Sequence, residues 1–274
     1  MKIAVFTTFH NEGYKLYGRR MIASFAKHWP KEVELHVYCE DVKPDVVSDR
    51  IIYKDLHASC PDLVKFKERH KNNPLAHGKD KKGNWRLKSF KYMAVRFSHK
   101  VYCMHHAATT IDADILIWLD ADSHTFDTIP MDFIKEVVEP TKKNFYCTYI
   151  GRPGNFGMRA RRWSECGFMA YNMNHPEHKN FHNKFKSMYD NDEIFNLQEW
   201  HDSWIFDRVR ERFEKKGVRN KNLNKTGNKR HPFINTVLGR YIDHLKGEQR
   251  KKHRKSHQNG RDLEVNHNVK YWKK

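Results

Sequence analysis

The stretch Ile115-Leu116-Ile117-Trp118-Leu119-Asp120-Ala121-Asp122 decides how the rest of the chain is read. Five consecutive apolar residues leave no wet face, so they predict a strand buried on both sides, as at the centre of a mostly parallel sheet. Two carboxylates follow where that strand ends. Residues i and i+2 of an extended segment point to one side, so Asp120 and Asp122 can converge at the carboxyl edge of the sheet, where open α/β sheets bind ligands. Two close carboxylates repel unless a cation lies between them. Hard oxygen ligands suit Mg²⁺ or Mn²⁺, which in turn can hold a diphosphate. The competing reading is a turn that caps the strand, finished by Ser123 and Thr125; the apolar run ahead of the pair favours the ligand.

Upstream, Lys2 to Phe9 is a β-branched and aromatic run ending in a polar turn that contains Gly13. Tyr17, Met21, Phe25 and Trp29 then recur every four residues and predict an amphipathic helix stopped by Pro30. Val33 to Cys39 reads as a second strand with Glu40 and Asp41 at its tip, and strand, helix, strand opens a right-handed βαβ unit. No glycine-rich phosphate loop follows the first strand. Residues 65–84 are polar and basic and predict a mobile loop or lid. Trp85 is expected to open a helix whose first turns carry Arg86, Lys88 and Lys91. Cations at the positive end of a helix do not help that helix, so Lys88 and Lys91 point either to an external anion such as a diphosphate or to a solvated face.

Downstream, Asn144 to Ile150 and Glu165 to Asn172 read as strands, and Gly167 in the second lets another group approach closely. Pro176 opens a helix. Asp202 precedes a further helix marked by Ile205, Val209 and Phe213, where it serves either as N-cap or as a carboxylate at the lip of the sheet edge. The chain ends in a basic stretch that contains Tyr271 and Trp272. Such a stretch binds phosphates and stacks bases or sugars, forms a solvated tail, or lies on a membrane surface.

At 274 residues the chain can bury a full core, and one elaborated α/β domain is expected. It has no long apolar segment and no signal-peptide pattern, which leads to the expectation of a cytoplasmic protein, free or peripheral to the inner face of a membrane. Five scattered cysteines without a Cys-x-x-Cys pair argue for reduced thiols and against a cysteine zinc site. Of the net charge of +19, residues 65–100 carry +10, 211–230 carry +6 and 246–274 carry +7, leaving −4 for the remainder. Three basic blocks suit phosphorylated or polyanionic partners, or are solvated faces.

The Asp120-Ala121-Asp122 segment resembles the Asp-X-Asp motif of GT-A glycosyltransferases, in which the pair holds the metal bound to a nucleotide-sugar diphosphate. His244-Leu245-Lys246-Gly247-Glu248-Gln249-Arg250 is similar to the His-x-x-Gly-x-x-Lys-Pro-Trp motif of the glycogenin and lipopolysaccharide galactosyltransferase group, with Arg250 in place of the lysine and Pro-Trp absent. The resemblance implies a single three-layer α/β/α sandwich with a mixed, mainly parallel sheet over 1–250. Residues 1–122 would be the nucleotide-sugar half, 123–250 the acceptor half and 251–274 a basic tail. It implies Asp120, Asp122 and His244 as ligands of Mn²⁺ or Mg²⁺. Thr7, Phe9, Asp41 and Ala121 would lie against the nucleotide, and Gly247 and Arg250 against the diphosphate, with Lys88 and Lys91 adding charge there. Asp202, or second Glu165, would face the acceptor hydroxyl or the sugar. The activity implied is transfer from a nucleoside-diphosphate sugar to a glycan or lipopolysaccharide-type acceptor. The alternatives are a DNA-modifying transferase acting on a hydroxylated base, and a non-catalytic basic nucleic-acid or membrane-binding protein on a degenerate transferase scaffold.

Overall fold

The computed structural model describes residues 1–79, 90–138, 145–152, 163–225, 230–256 and 262–273. β1 (Ile3–Phe9) leads through a short turn α1 (Asn11–Gly13) and a π-helical turn (Tyr14–Gly18) into α2 (Arg19–His28). β2 (Glu34–Cys39) and β3 (Ile51–Asp55) follow, then α3 (Leu56–Ser59), α4 (Pro61–His70) and α5 (Ala94–Thr110). The apolar run forms β4 (Ile115–Leu119), and β5 (Ser123–Thr125) begins after three intervening residues. The second half consists of α6 (Met131–Val138), β6 (Phe145–Ile150), β7 (Glu165–Asn172), α7 (His178–Asp190), α8 (Asp202–Glu214), β8 (Arg219–Asn222), β9 (Ile242–His244) and α9 (Glu248–His253).

Seven strands form one sheet in the order β3-β2-β1-β4-β7-β6-β8. Four of its six pairings are parallel; those of β7 with β4 and with β6 are antiparallel. The reason for the apolar run is visible in its two faces. Leu116 and Trp118, with Ala4 and Phe6 of β1, pack under α4, α5, α7 and α8. Ile115, Ile117 and Leu119, with Ile3 and Val5, pack on the opposite side against α2 and α6. Covering both faces with helices produces the expected three-layer, mixed and mainly parallel architecture.

The C-terminal end of α2 is held by Arg50, whose guanidinium donates to the carbonyls of Phe25, Ala26 and Trp29 and also to those of Pro30 and Val33. It thus adds donors at the helix end, where most of the last carbonyls have no partner within the helix.

Several local expectations change. The loop expected over 65–84 is helical in its first part: α4 buries Leu63 and Phe66, and Pro74–His77 forms a 3₁₀ turn. Position 85 lies outside the described residues, and the helix expected to start there begins at Ala94, after a 3₁₀ turn over Phe90–Tyr92. His201, not Asp202, occupies the N-cap of α8, so Asp202 is the first helical residue. The C-terminal aromatics pack on the body of the protein. The Tyr271 ring stacks on Phe126 at 3.8 Å, and buried Trp272 donates to the carbonyl of Gly239 at 2.6 Å. Both rings are therefore engaged in packing within the fold. No described helix is long and apolar enough to cross a membrane.

Candidate active site

Beyond β4 the chain turns out of the main sheet and β5 pairs antiparallel with β9 in register Ser123↔His244. That register sets His244 beside Asp122, and the Leu245 amide donates to the Asp122 carbonyl at 2.9 Å. On the other flank, the Asp120 amide donates to the Gly167 carbonyl of β7 at 2.9 Å. Asp120, Asp122 and His244 thereby converge, with one ligand atom from each lying within 4.8 Å of the others.

The two carboxylates divide their oxygens between protein cations and the imidazole. Asp120 Oδ1 accepts from Lys100 Nζ at 3.0 Å and from Trp118 Nε1 at 2.6 Å, while Oδ2 lies 3.6 Å from His244 Nε2. Asp122 Oδ2 is paired with Lys251 at 2.9 Å, while Oδ1 lies 3.0 Å from the same Nε2. One oxygen of each acid and one ring nitrogen therefore face a common point. Behind the ring, Nδ1 has no hydrogen-bond partner among the described residues and lies 3.7 Å from Glu165 Oε1. A carboxylate behind a ligating histidine is the arrangement that orients such rings at metal centres. Gly167 makes room for it: a Cβ there would stand 2.6 Å from His244 Cε1 and 2.8 Å from Nδ1, which confirms the close approach expected of this position.

Burial opposes the charge of His244, but Asp122, Asp120 and Glu165 outweigh it and raise the imidazole to about 10. Burial likewise opposes ionisation of Asp120, but the Lys100 ammonium and His244 prevail and hold the carboxyl far below its ordinary range. In Asp122 burial is again overcome, by His244 and Lys251, and the shift is downward. Two ionised oxygen donors plus an imidazole that must shed a proton form a donor set able to hold a divalent cation.

The carboxylate pair forms part of the lining of a cleft of 640 Å³ at the carboxyl edge of β1 and β4. Phe9, Ala121, Arg96, Lys100 and Lys251 also line it. Phe9 and Ala121 thus share this cleft with the carboxylate pair. Thr7 is fully buried, and its neighbour Thr8 lines the cleft instead. Asp41 accepts from the Asn11 amide and lines a separate pocket past the tip of β2; the acid that β2 sends toward the cleft is Glu40. In a second cluster, Glu40, His57 and His99, the Lys67 ammonium already lies 2.8 Å from Glu40 and 3.0 Å from His57, and His99 lies 3.0 Å from Glu40.

Arg250 pairs with Asp262 at 2.6 Å, and α9 presents Lys251 to the cleft instead. Gly247 precedes α9 with φ +84°, a conformation that favours glycine. Lys91 pairs with Glu199 at 2.6 Å and stands over the Trp163 ring. Lys88 lies outside the described residues. Asp202 is buried and held by Lys100 at 2.8 Å, and Glu165 is buried between Lys246, at 2.7 Å, and Arg152.

Lys100 is the residue of this site that sequence reasoning missed. Its ammonium spans Asp120, Asp202 and the Cys166 carbonyl, at 3.0, 2.8 and 2.6 Å, above the Trp118 ring. The signal was present: Lys100 shares a helix face with Phe97, Val101 and Met104, and a lysine on an apolar stripe requires an acidic partner.

No protein-family model matches this chain, and no curated protein matches it by sequence. Among solved structures, mouse xyloside xylosyltransferase 1 in its apo form superimposes with a TM-score of 0.51, covering 78% of this chain and 83% of that one at 12% identity. The chain has a GT-A-like fold. At that identity the likeness concerns architecture. The Asp120-Ala121-Asp122 group and its His244 partner are features of this chain's own geometry.

Proposed function

We propose that this chain is a metal-dependent glycosyltransferase that moves a sugar from a nucleoside-diphosphate sugar to an acceptor hydroxyl of a glycan. One observation carries the proposal: two carboxylate oxygens and an imidazole nitrogen converge beside a cleft lined by cations, at the carboxyl edge of a GT-A-like sheet. Asp120, Asp122 and His244 would hold Mn²⁺ or Mg²⁺. A bound divalent ion supplies positive charge to the diphosphate leaving group. Lys251 and Arg96, on the cleft wall, add potential of the same sign. Lys100 keeps Asp120 ionised and its second oxygen aimed at the common point.

Of the two carboxylates proposed at the reacting centre, Glu165 is a weak base. Burial opposes its ionisation, but Lys246 and Arg152 dominate and hold its carboxyl well below the ordinary range. Asp202 is committed to Lys100. This arrangement favours a reaction that retains configuration, with Asp202 steadying the sugar. The xylosyltransferase likeness gives the nucleic-acid alternative no support.

The test is a panel of nucleotide sugars with and without Mn²⁺, read first as thermal stabilisation and then as transfer to mixed glycan acceptors. Stabilisation confined to a matching donor and metal pair, and lost in Asp122→Ala with the fold intact, supports the reading. Transfer by Asp122→Ala at the wild-type rate sinks it.

A further inference from the structure

On the far side of the His244 ring from the carboxylate pair lies a second pocket of 290 Å³. Glu165 joins the two sites: Oε1 faces His244 Nδ1 at 3.7 Å, and Oε2 accepts from Lys246, on the second pocket's wall, at 2.7 Å. Phe90, which lines the pocket, stands 6.1 Å from Phe97, which lines the cleft. The two spaces are therefore neighbours, separated by one imidazole and one pair of rings.

The pocket is chemically lopsided. Arg152 and Lys246 share the single carboxylate of Glu165, which is buried, so the wall carries an excess positive charge that Glu165 cannot balance. The other two arginines on the wall, Arg230 and Arg250, have their own acids, Glu264 at 3.9 Å and Asp262 at 2.6 Å. Two residues of the wall also hold a buried nitrogen without a hydrogen-bond partner among the described residues, Arg152 Nε and His231 Nδ1. His231 Nε2 donates to the His244 carbonyl at 2.9 Å, so in the neutral ring Nδ1 is an acceptor. Trp163 and Phe90 contribute aromatic surface. A cation pair short of an anion, a lone acceptor nitrogen and two aromatic rings describe a particular ligand: a hydroxyl-bearing ring that carries a negative group.

We infer that this pocket is the acceptor subsite, and that the acceptor is a sugar carrying an anionic substituent, a carboxylate or a phosphate monoester. The inference rests on the glycosyltransferase reading above. Arg152 and Lys246 take the anionic group, His231 Nδ1 accepts from a ring hydroxyl, and Trp163 covers a face of the ring. Both anions offer paired oxygens to the same cations, and the probes below separate them.

The test uses the full chain and three small probes, methyl β-glucoside, methyl β-glucuronide and glucose 6-phosphate, with inorganic phosphate as control. Binding is followed by calorimetry in the presence of Mn²⁺ and the nucleoside diphosphate that best stabilises the protein. At least one charged sugar is expected to bind ten or more times tighter than the neutral glucoside, and whichever does identifies the anion. Lys246→Glu should erase that preference. Lys246→Met, which removes the charge without reversing it, should reduce it. His231→Phe should weaken the charged sugar and leave inorganic phosphate binding as it was. Equal binding of charged and neutral sugars, or of inorganic phosphate and the charged sugars, overturns the inference. If the nucleoside diphosphate with Mn²⁺ stabilises the protein while no charge preference is found, the acceptor assignment fails and the transferase reading stands. If no nucleotide stabilises the protein, the transferase reading itself fails.

Discussion

Gly167→Ala tests the imidazole's placement without touching a proposed ligand. The added Cβ would lie 2.6 Å from His244 Cε1, whereas ordinary contact begins at 3.4 Å, so ring or strand must move by the difference, about 0.8 Å. Metal–ligand distances tolerate shifts of roughly 0.2 Å, a quarter of that displacement. Moving the strand instead offers no escape, because the Gly167 carbonyl anchors the Asp120 amide. Overpacking of this kind costs about 1–3 kcal/mol in stability. Disturbing the support of a ligating histidine weakens metal binding by roughly 10- to 100-fold. Mn²⁺ calorimetry, with far-UV circular dichroism to confirm the fold, measures both effects. In a His244→Ala background the same methyl group meets no ring, so the double variant should be no less stable than His244→Ala alone. Mn²⁺ affinity within twofold of wild type in Gly167→Ala would refute the placement of His244.

Two further outcomes follow from the charges around the cluster. His244 is raised from 6.5 to about 10, so the stability its imidazolium contributes is complete below pH 6.5 and is lost as pH rises through 10. Metal binding must displace that proton, so Mn²⁺ affinity should climb about tenfold per pH unit between pH 6.5 and 8.5, and a flat profile by calorimetry would contradict it. Lys100→Met leaves Asp120 and Asp202 buried without their cation and should cost about 3–5 kcal/mol in urea unfolding at pH 7. Because the Asp120 carboxyl is depressed in the folded protein, the lost stabilisation is the part present above pH 3.8, and the gap to wild type should narrow below that pH.

The parts of the fold legible in the sequence are those where burial imposes composition. β4 is apolar at every position because helices cover both faces. β8 is the opposite case: Arg219–Asn222 is polar throughout and is held by its pairing with β6 and by Asn220 and Asn222 side chains bonded to the Cys147 and Gly151 amides. No periodicity announces such a strand. α4 escaped because its buried residues, Leu63 and Phe66, begin before the basic run that dominates the sequence there.

At the site, Asp122 and His244 were legible through chemistry and chain order, and Gly167 through its size. Arg250 and Lys251 were not separable, because adjacent helical residues differ by about 100° in direction and one position decides which of them faces the cleft. Lys100 was hidden among the cations of residues 65–100, since charge counting does not distinguish a buried ammonium from a solvated one. The positive excess now has a partial account: Arg96, Lys100, Lys246 and Lys251 come from two of the basic blocks and line the cleft or its neighbouring pocket.

In the proposed metal centre one ring nitrogen and two carboxylates share a divalent ion, and pulsed electron paramagnetic resonance of the Mn²⁺-loaded protein reads that directly. One directly coordinated imidazole nitrogen should modulate the echo of the bound ion, and the modulation should disappear in His244→Ala while a weaker Mn²⁺ signal persists through Asp120 and Asp122. Bound Mn²⁺ without nitrogen coupling in the wild-type protein, or coupling that survives in His244→Ala, would contradict the proposed metal centre.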